Sequence, residues 1–475
     1  MTPSASSVNC VLIGHKYAHE VQVVAQMFFG GWYGVGSCGD AGNVRFVFCE
    51  KIPPTGLAVA GILNGTSCTG ELYLDGKKTA SHTMDSPKEE KAIKRTLMLV
   101  LFYALKEATG QPTPWGALTG VRPAKQVRIW MDEKDTTATI TERLRTVYEC
   151  REDKIKLAIE VARAEAGLIA GQKPGVGLYI GIPFCPSRCM YCSFVTGQKA
   201  DADAPKRYLA ALAKECKTIA AKQINTIYIG GGTPTALSEE DLAALLKIVS
   251  PFANGQEYTV EAGRPDSITK EKLTLLKAYG VNRIAINPQT LNDETLVRIG
   301  RAHTSADFYK AYEMAVQAGF TNINTDVIAG LPGEKTEDVR RTMEGLKKLS
   351  PPHITVHTLA VKRASRLNEH RLQEIPDYGT VDRALDIARK VCEDLGLAPY
   401  YMYRQKNMVG HFENVGFSLP GYECLYNVAM MAETQTVLAA GAGAVTKIVE
   451  DTRIERKFNP KDIETYIKKM SPDYK

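Results

Sequence analysis

A regular alternation of short, β-rich apolar runs with longer helical patterns begins after residue 177 and restricts the fold more than any other feature. A Gly/Pro-rich stretch at 171–177 ends a helical pattern just before the first run. Between runs, segments such as 238–247 combine a serine cap, early acidic residues and apolar spacing, which are helix signals. The alternation predicts parallel strands joined by helical crossovers. The six runs are 178–184, 226–230, 257–262, 283–287, 322–329 and 354–361.

The number of runs and the change of pattern near residue 172 predict how the chain is divided. Residues 173–400 are predicted to form an α/β domain, a partial (β/α)6 barrel, in which chemistry lies at the carboxyl ends of the strands. Residues 401–475 are predicted to be a C-terminal extension, and residues 1–172 a separate small α+β domain for which the sequence indicates no chemistry. Within 1–172, strand-like runs lie at 8–13, 44–48 and 71–74, and helical patterns at 89–109 and 140–166.

The composition argues against several classes of protein. A net charge of +6 with 24% charged residues carries no nucleic-acid signature. No segment offers the roughly 20 uninterrupted apolar residues that span a bilayer, and the first 27 residues lack a signal-peptide pattern. We therefore expect a cytoplasmic protein without a membrane span. The eleven cysteines are odd in number with one tight cluster, which indicates reduced thiols and a metal site rather than disulfides.

Three cysteines, Cys185, Cys189 and Cys192, lie within eight residues on the loop that leaves the first predicted strand. Cysteine thiolates at short, fixed spacings are typical of iron–sulfur clusters. Three thiolates leave one iron of a four-iron, four-sulfur cluster open, and S-adenosylmethionine (SAM) can chelate that iron through its amino and carboxylate groups. An electron from the cluster can then break a carbon–sulfur bond of SAM and start radical chemistry. We predict that these three residues are the metal ligands and the catalytic centre.

A structural zinc site and a redox-active cysteine pair are the two alternatives to the cluster. A structural zinc site would need a fourth cysteine or histidine close by, and none lies between residues 174 and 216 apart from the three. Thioredoxin-type redox chemistry needs only one pair of cysteines and leaves Cys185 without a role. The spacing and the position after a strand therefore favour the cluster.

Polar residues follow the later strands in places where apolar runs end. A glycine triplet at 230–232 lets backbone approach a ligand closely, and no Gly-Lys-Ser/Thr follows to make it a phosphate loop. Glu261 and Arg264 lie at the end of the third run, Gln289 follows the fourth, and Asp326 lies within the fifth. Burying such groups without a partner costs several kcal/mol, so we expect them to meet a polar ligand at the barrel mouth. A helix cap or a salt bridge is the alternative for the two carboxylates.

From residue 178 to 447 the chain resembles the oxygen-independent coproporphyrinogen III oxidase family of radical SAM proteins, above all its HemZ-type branch. The resemblance rests on a tyrosine six residues before the first cysteine, the Pro-Phe-Cys that follows it, the glycine loop and residues 280–289 and 324–332. It implies a [4Fe-4S] cluster and SAM as cofactors. The residues that it implies for SAM binding are Tyr179, Tyr191, Gly231, Gly232, Thr233, Glu261, Gln289, Arg301, Asp326, Ala360 and Val445.

The resemblance also implies an activity, oxidative decarboxylation of porphyrinogen propionates to vinyl groups, with a flavodoxin or ferredoxin-type electron donor and an anaerobic setting. Basic side chains are candidates for contacts with the tetrapyrrole carboxylates: Lys362, Arg363, Arg366, Arg404 and Lys406. One position departs from the family. The second residue after the tyrosine is histidine in the decarboxylating and heme-carrying relatives, but here it is Gly181.

Other functions of the same family stay open from the sequence. The radical can serve methyl transfer or opening of a heme ring. A heme-binding or heme-delivery protein without catalysis is a further alternative, for which the candidate axial ligands are His303, His353, His357 and His411. The tyrosines Tyr401, Tyr403, Tyr422 and Tyr426 can stack on a macrocycle or relay a radical, although packing is the more usual role.

Overall fold

The computed structural model describes residues 7–30, 44–120, 122–194, 203–219, 223–254, 257–362, 365–369, 374–450 and 453–470. The chain divides into two compact units. The first contains residues 1–159, 371–382 and 404–413, and the second contains 160–370, 383–403 and 414–475. The three-domain division drawn from the sequence stays a prediction.

The first unit is built on a five-stranded sheet with the strand order β2-β1-β3-β4-β5. Its strands are β1 (Ser7–Ile13), β2 (Arg45–Cys49), β3 (Leu57–Asn64), β4 (Ser67–Leu74) and β5 (Lys77–Asp85). The helices are α1 (Ala18–Phe29), α2 (Glu90–Thr109), α3 (Pro123–Asp132), α4 (Thr137–Thr146) and α5 (Glu152–Ala170), of which α5 continues into the second unit. Helix α2 packs so closely on β4 that a Cβ on Gly70 would overlap the backbone of Leu101. The predicted α+β character of this region is confirmed.

The single helix predicted for residues 140–166 is wrong, because α4 ends at Thr146 and α5 begins at Glu152. Glu149 adopts a left-handed backbone with φ of 51°, which a continuous helix does not allow. The connection also packs against the Trp115 segment, where the N–H of Ala117 donates to the carbonyl oxygen of Tyr148 at 2.7 Å. Helical periodicity continues across the break in the sequence, so the pattern alone gave no stop signal.

A buried polar cluster lies at Trp115 in the first unit. The indole N–H of Trp115 donates to Glu413 at 2.7 Å, and the ammonium of Lys154 contacts the other oxygen of the same carboxylate at 2.7 Å. The side chains of Lys154 and Glu413 are each only 4% exposed. Trp115 therefore has a packing role within the first unit.

The second unit is built on an eleven-stranded sheet with the order β12-β13-β11-β10-β9-β8-β7-β6-β14-β15-β16. The strands are β6 (Val176–Ile182), β7 (Ile224–Gly231), β8 (Glu257–Gly263), β9 (Arg283–Ile286), β10 (Asn322–Ala329), β11 (His353–Thr358), β12 (Ala398–Tyr403), β13 (Asn414–Ser418), β14 (Val437–Ala440), β15 (Val445–Glu450) and β16 (Arg453–Phe458). Strands β6 to β11 are parallel neighbours in chain order, so the six predicted strands and their crossovers are confirmed.

Ten helices of the described chain belong to or enter the second unit beyond α5: α6 (Ala204–Thr218), α7 (Glu239–Val249), α8 (Lys270–Ala278), α9 (Asp293–Arg298), α10 (Ser305–Gln317), α11 (Thr336–Leu349), α12 (Arg366–Glu369), α13 (Tyr378–Asp394), α14 (Leu425–Ala432) and α15 (Ile463–Lys469). Helix α7 starts as predicted, because the hydroxyl of Ser238 accepts from the N–H of Asp241 at 3.0 Å. Among the described residues, no helix is long and apolar enough to cross a lipid bilayer.

The last part of the chain extends both edges of the large sheet. Strand β13 pairs antiparallel with β11, and β14 pairs parallel with β6. Helix α14 is anchored at the start of β8, where the carboxylate of Glu257 accepts from the backbone N–H groups of Leu425 and Tyr426 at 2.6 and 3.0 Å. A carboxylate at a helix N-terminus is favourable because it meets unpaired N–H groups and the positive end of the helix dipole. This anchor places Tyr426 against side chains of β6 and β7.

Candidate functional site

The three predicted cluster cysteines lie on one loop that follows β6, and backbone hydrogen bonds hold this loop from three sides. The N–H of Thr233 donates to the carbonyl of Phe184 at 2.7 Å. The N–H of Met190 donates to Ile299 after α9, and its carbonyl accepts from Leu367 in α12, both at 2.9 Å. Segments after β7 and β9 and the helix after β11 therefore fix the cysteine loop.

The donor set on this loop fits an iron–sulfur cluster. Among the described residues, no three Cys, His, Asp or Glu side chains converge on a point that a single ion such as Zn²⁺ could occupy. A cubane cluster instead binds each thiolate to a different iron, so its ligands need to share a loop but not a common point. Burial raises the pKa of the Cys185 thiol to about 11 and also raises the pKa of Cys192. Iron would have to displace these protons, as metals do when they bind cysteine.

Arg264, directly after β8, brings a positive charge to this loop. It is 3% exposed, and its Nη1 donates to the hydroxyl of Ser187 at 3.0 Å and to the sulfur of Cys189 at 3.7 Å. Its Nε and Nη2 donate to the two carboxylate oxygens of Asp266 at 2.8 and 2.7 Å. The sequence places Arg264 among the polar residues at the end of the third run, but the predicted SAM contacts do not include it. The signal was present in the sequence as a charged Arg-Pro-Asp directly after an apolar strand.

The glycine loop after β7 lies against the first turn of the cysteine loop. A Cβ on Gly232 would overlap the carbonyl oxygen of Phe184, and Gly231 adopts a φ of 106° that favours glycine. The Gly231 position is also close to Tyr179, whose hydroxyl would lie 3.1 Å from an added Cβ. The hydroxyl of Thr233 lies 3.5 Å from the sulfur of Cys185. The structure therefore brings Tyr179, the glycine loop and the first cysteine together.

A stack of three tyrosines lies beside the glycine loop. Tyr179 and Tyr228 are cross-strand partners on β6 and β7 with ring centroids 6.3 Å apart, and Tyr426 stacks on Tyr228 at 4.4 Å. The hydroxyl of Tyr228 donates to the carboxylate of Glu261 at 2.6 Å. Tyr228 is not among the predicted site residues, because a tyrosine within an apolar run is typical of an ordinary strand. Its partner Tyr426 is almost two hundred residues away along the chain.

The two candidate carboxylates, Glu261 on β8 and Asp326 on β10, lie in different electrostatic environments. Burial, with a further contribution from the charge of Asp326, raises the pKa of Glu261 to about 7. Burial also acts on Asp326, but the hydrogen bond and charge of His357 and a hydrogen bond from Asn324 outweigh it and hold the pKa of Asp326 below its usual value. The Asn324 amide donates to Asp326 at 2.7 Å, and Nε2 of His357 lies 3.6 Å away. Neither carboxylate caps a helix in the structure.

Gln289 lies just after β9, and Arg301 lies after α9. Gln289 has a left-handed backbone with φ of 65°, and its buried side-chain oxygen has no hydrogen-bond partner among the described residues. A strained, unsatisfied polar residue is the kind found at binding sites. Arg301 is 6% exposed and donates to the hydroxyl of Tyr191 at 3.1 Å and to the carbonyls of Gly263 and Asn287 at 3.2 and 2.6 Å. It thereby ties the cysteine loop to β8 and β9.

Two predicted SAM contacts lie at the margins of this group. Ala360 follows β11, the strand next to the one that carries Asp326. Val445 begins β15, which β14 separates from β6. No hydrogen bond joins either residue to the cysteine loop among the described contacts, so their roles stay predictions.

The departure at Gly181 has a structural reason. A Cβ at this position would lie 3.3 Å from the carbonyl oxygen of Ala442, and a Cβ on Gly441 would overlap the carbonyl oxygen of Gly181. That carbonyl also accepts from the buried hydroxyl of Tyr208 at 2.5 Å. The turn between β14 and β15 therefore takes up the space beside Gly181, and a histidine would require this turn to move.

The candidate basic contacts do not form one group. Lys362 lies near Cys192. Burial lowers the pKa of the Lys362 ammonium, and the charge of Cys192 offsets only part of this effect. Arg366 begins α12, beside the cysteine loop. Arg363 lies outside the described residues. Lys406 and Arg404 belong to the first unit, where Arg404 is buried and donates to the carbonyl of Leu118 at 2.5 Å. Backbone hydrogen bonds use the charge of Arg404 within the first unit, and its contact with tetrapyrrole carboxylates stays a prediction.

Two of the four candidate histidines, His303 and His353, are buried, and the other two, His357 and His411, are partly exposed. Burial lowers the pKa of His303 and of His411 to about 4, and it also lowers the pKa of His353, which hydrogen-bonds to the hydroxyl of Tyr400 at 3.1 Å. The side chain of His357 is 24% exposed. Of the two partly exposed histidines, His357 is the one that lies beside Asp326 in the candidate site.

Six parallel strands in chain order, with three cysteines on the loop after the first, define the class of radical SAM proteins. Residues 179–346 match the family model of the Radical SAM superfamily. The solved structure of the coproporphyrinogen III oxidase HemN from Escherichia coli has the same fold, with a TM-score of 0.54, 20% sequence identity and coverage of 66% of this chain and 73% of that chain.

Two individual relatives identify the family of the chain within this superfamily. The oxygen-independent coproporphyrinogen-III oxidase-like protein HemZ of Bacillus subtilis is 37% identical over 431 residues, which are 86% of this chain and 84% of that protein. The heme chaperone HemW of Lactococcus lactis is 32% identical over 280 residues, 58% of this chain and 69% of that protein. The chain belongs to the HemN/HemZ/HemW family of radical SAM proteins.

Proposed function

We propose that this protein is a radical SAM enzyme that oxidatively decarboxylates a porphyrinogen propionate to a vinyl group, as a coproporphyrinogen III dehydrogenase. The main support for this proposal is that three residues, Thr233, Arg264 and Arg301, join the cysteine loop to the ends of β7, β8 and β9. When bound, a [4Fe-4S] cluster on Cys185, Cys189 and Cys192 supplies the electron that cleaves SAM reductively.

In this proposal the chain's own residues bind and orient SAM. Tyr179 and the glycine loop face one another next to Cys185, so they can enclose a ligand at the open iron. Glu261 and Asp326 supply carboxylate oxygens for the hydroxyl and amino groups of SAM, and the unpaired oxygen of Gln289 supplies a further acceptor. The tyrosine stack forms a rigid apolar floor below Glu261 and keeps water from that side.

The substrate follows from the family and from charge. The reaction removes a hydrogen atom, carbon dioxide and one electron from a propionate. The 5′-deoxyadenosyl radical derived from SAM takes the hydrogen atom, and a one-electron acceptor, such as the oxidised form of the donor protein, takes the electron. The site must therefore admit an anionic side chain next to SAM. Lys362 and Arg366 lie by the cysteine loop and can pair with propionate carboxylates. The similarity to a coproporphyrinogen-III oxidase-like protein supports a tetrapyrrole with propionate side chains as the substrate.

One anaerobic assay tests this function. Reconstituted full-length protein, SAM, a flavodoxin-type reductant and coproporphyrinogen III are expected to give 5′-deoxyadenosine and products that mass spectrometry finds lighter by the elements of formic acid for each vinyl formed. The Cys189→Ala variant is the matched control and is expected to give neither product. Protein that cleaves SAM but leaves the porphyrinogen unchanged would contradict the proposed substrate.

Heme binding is the second candidate, favoured by the matches to heme chaperones and by the partly exposed His357. Added heme would then give a Soret band that weakens in the His357→Ala variant, without formation of 5′-deoxyadenosine. A mass change in the porphyrinogen would exclude this as the main function.

The raised pKa of Glu261 leads to a pH-dependent prediction. The folded state holds the Glu261 proton up to about pH 7, whereas the unfolded chain releases it near 4.5, so the free energy of unfolding falls as the pH rises through this window. The Glu261→Gln variant has no carboxyl proton at this position to release, so its free energy of unfolding does not fall in this way. Relative to the unaltered chain, the variant is expected to gain about 2–3 kcal/mol between pH 4.5 and 7.5, since each pKa unit corresponds to about 1.4 kcal/mol. Denaturant unfolding across this range measures the gain.

Glu334 provides the matched control for this measurement. It is buried, its pKa is also raised to about 7 by burial, and it accepts from Thr290 at 2.6 Å outside the candidate site. Glu334→Gln should show a similar gain in stability but unchanged SAM affinity, whereas Glu261→Gln should lose about 10-fold in SAM affinity, the cost of one good polar contact. Equal SAM affinities for both variants would remove Glu261 from the SAM site.

A further inference from the structure

Arg264 has an unusual set of partners for a buried arginine. One edge of its guanidinium makes two parallel hydrogen bonds to Asp266, at 2.8 and 2.7 Å. The remaining nitrogen, Nη1, is directed at the cysteine loop, where it contacts the hydroxyl and carbonyl oxygens of Ser187 at 3.0 and 3.4 Å and the sulfur of Cys189 at 3.7 Å. The side chain is 3% exposed. The guanidinium is thus held on one side and points at a cluster ligand on the other.

Stability alone gives little reason for this arrangement. Burying an arginine and its carboxylate partner costs desolvation energy that their attraction only roughly offsets, and apolar residues of the same size often fill such space equally well. The fork to Asp266 fixes the plane of the guanidinium in a way that a lysine ammonium cannot reproduce. What the arrangement does provide is one oriented N–H donor and a fixed positive charge beside a thiolate.

We infer that Arg264 raises the reduction potential of the cluster that the cysteine loop holds, by donating to the sulfur of Cys189 and by keeping its charge beside it. The inference rests on the proposed function. Reduction adds one electron from a flavodoxin or ferredoxin-type donor, which is oxidised by one electron, and no proton is transferred. The reduced cluster and its three thiolates carry one more negative charge, so a nearby cation and hydrogen-bond donor stabilise the reduced state more than the oxidised state.

Asp266 acts in this arrangement as a positioning residue. Its carboxylate holds the Arg264 fork and lies 3.9 Å from the buried His303 ring, on the side away from the cysteines. Because the carboxylate takes up two of the guanidinium nitrogens, the third is left to face Ser187 and Cys189. The electron donor then needs a less negative potential than it would without Arg264.

Potentiometric titration of the reconstituted full-length protein, followed by the EPR signal of the reduced cluster, tests the inference. Arg264→Met removes the charge and the donor at similar volume, and Arg264→Lys keeps the charge but loses the fork. Arg341→Met is the matched control, since it removes the same charge from an exposed ion pair with Asp338. Iron and sulfide per chain are measured for every variant.

The cluster of Arg264→Met is expected to have a more negative midpoint potential than that of the unaltered chain, with Arg264→Lys between them and Arg341→Met unchanged. Equal potentials for Arg264→Met and the unaltered chain would overturn the inference and leave the proposed function intact. If Arg264→Met binds no cluster, Arg264→Lys decides, because a loaded Lys variant at the unaltered potential overturns the inference and a negative shift supports it. An unaltered chain that binds no cluster would overturn the proposed function itself.

Discussion

Replacing any one of Cys185, Cys189 or Cys192 by alanine is expected to abolish SAM cleavage. Each thiolate binds a different iron of the proposed cluster, so loss of one leaves two iron sites open and the cluster unstable. Changes in residues that only support metal ligands already cost about 10- to 100-fold in metal affinity or activity, so loss of a ligand should cost more than about 100-fold. Iron content and 5′-deoxyadenosine formation under anaerobic conditions measure the loss.

A buried cysteine outside the loop serves as the control for these variants. Cys216 lies in α6, is 4% exposed, and has no part in the proposed site. Cys216→Ala should keep the iron content and the rate of SAM cleavage of the unaltered chain. Substantial SAM cleavage by any of the three loop variants would show that the proposed ligand set is wrong.

The second large effect is expected in the first unit, where Lys154→Met breaks the buried ion pair with Glu413. The Glu413 carboxylate then loses the ammonium that contacts one of its oxygens, while the Trp115 N–H still donates to the other. Removing one partner of a buried pair costs about 3–5 kcal/mol. The chain's three tryptophans all lie within residues 1–159, so tryptophan fluorescence during denaturant unfolding follows this unit.

Two further variants separate the charge effect from a change in packing. Lys156→Met removes an exposed lysine from the same helix, α5, and is expected to change the unfolding free energy by less than about 0.5 kcal/mol. The double variant Lys154→Met/Glu413→Gln removes both charges and keeps an acceptor for Trp115, so it should recover most of the loss. A double variant as unstable as Lys154→Met would contradict the assignment to an unpaired charge.

The sheet and the cysteine loop could be predicted because their signals are local. Each parallel strand of the second unit is an apolar run bounded by turn residues, and the predicted bounds agree with the observed ones within a few residues, as for 322–329. The cysteine spacing is likewise contained within eight residues. Local patterns of this kind need no knowledge of which segments meet in space.

Features that depend on distant contacts could not be predicted in the same way. Tyr426 reaches the tyrosine stack only because Glu257 anchors α14 at the start of β8. An arginine is usually exposed at the surface, but the fold of the first unit buries Arg404, which donates to a backbone carbonyl oxygen. Gly181 departs from its family because the turn at Ala442 packs there. In each case the decisive partner is more than one hundred residues away in the sequence or is a backbone group.

The proposed function depends on a four-iron cluster that three cysteines hold with one iron open to SAM. EPR spectroscopy of the anaerobically reconstituted, reduced protein tests it directly, with spectra taken before and after SAM is added. The reduced protein is expected to give the signal of a [4Fe-4S] cluster whose g-values shift when SAM binds. Zinc in place of iron at the three cysteines, or a cluster signal that SAM leaves unchanged, would contradict this expectation.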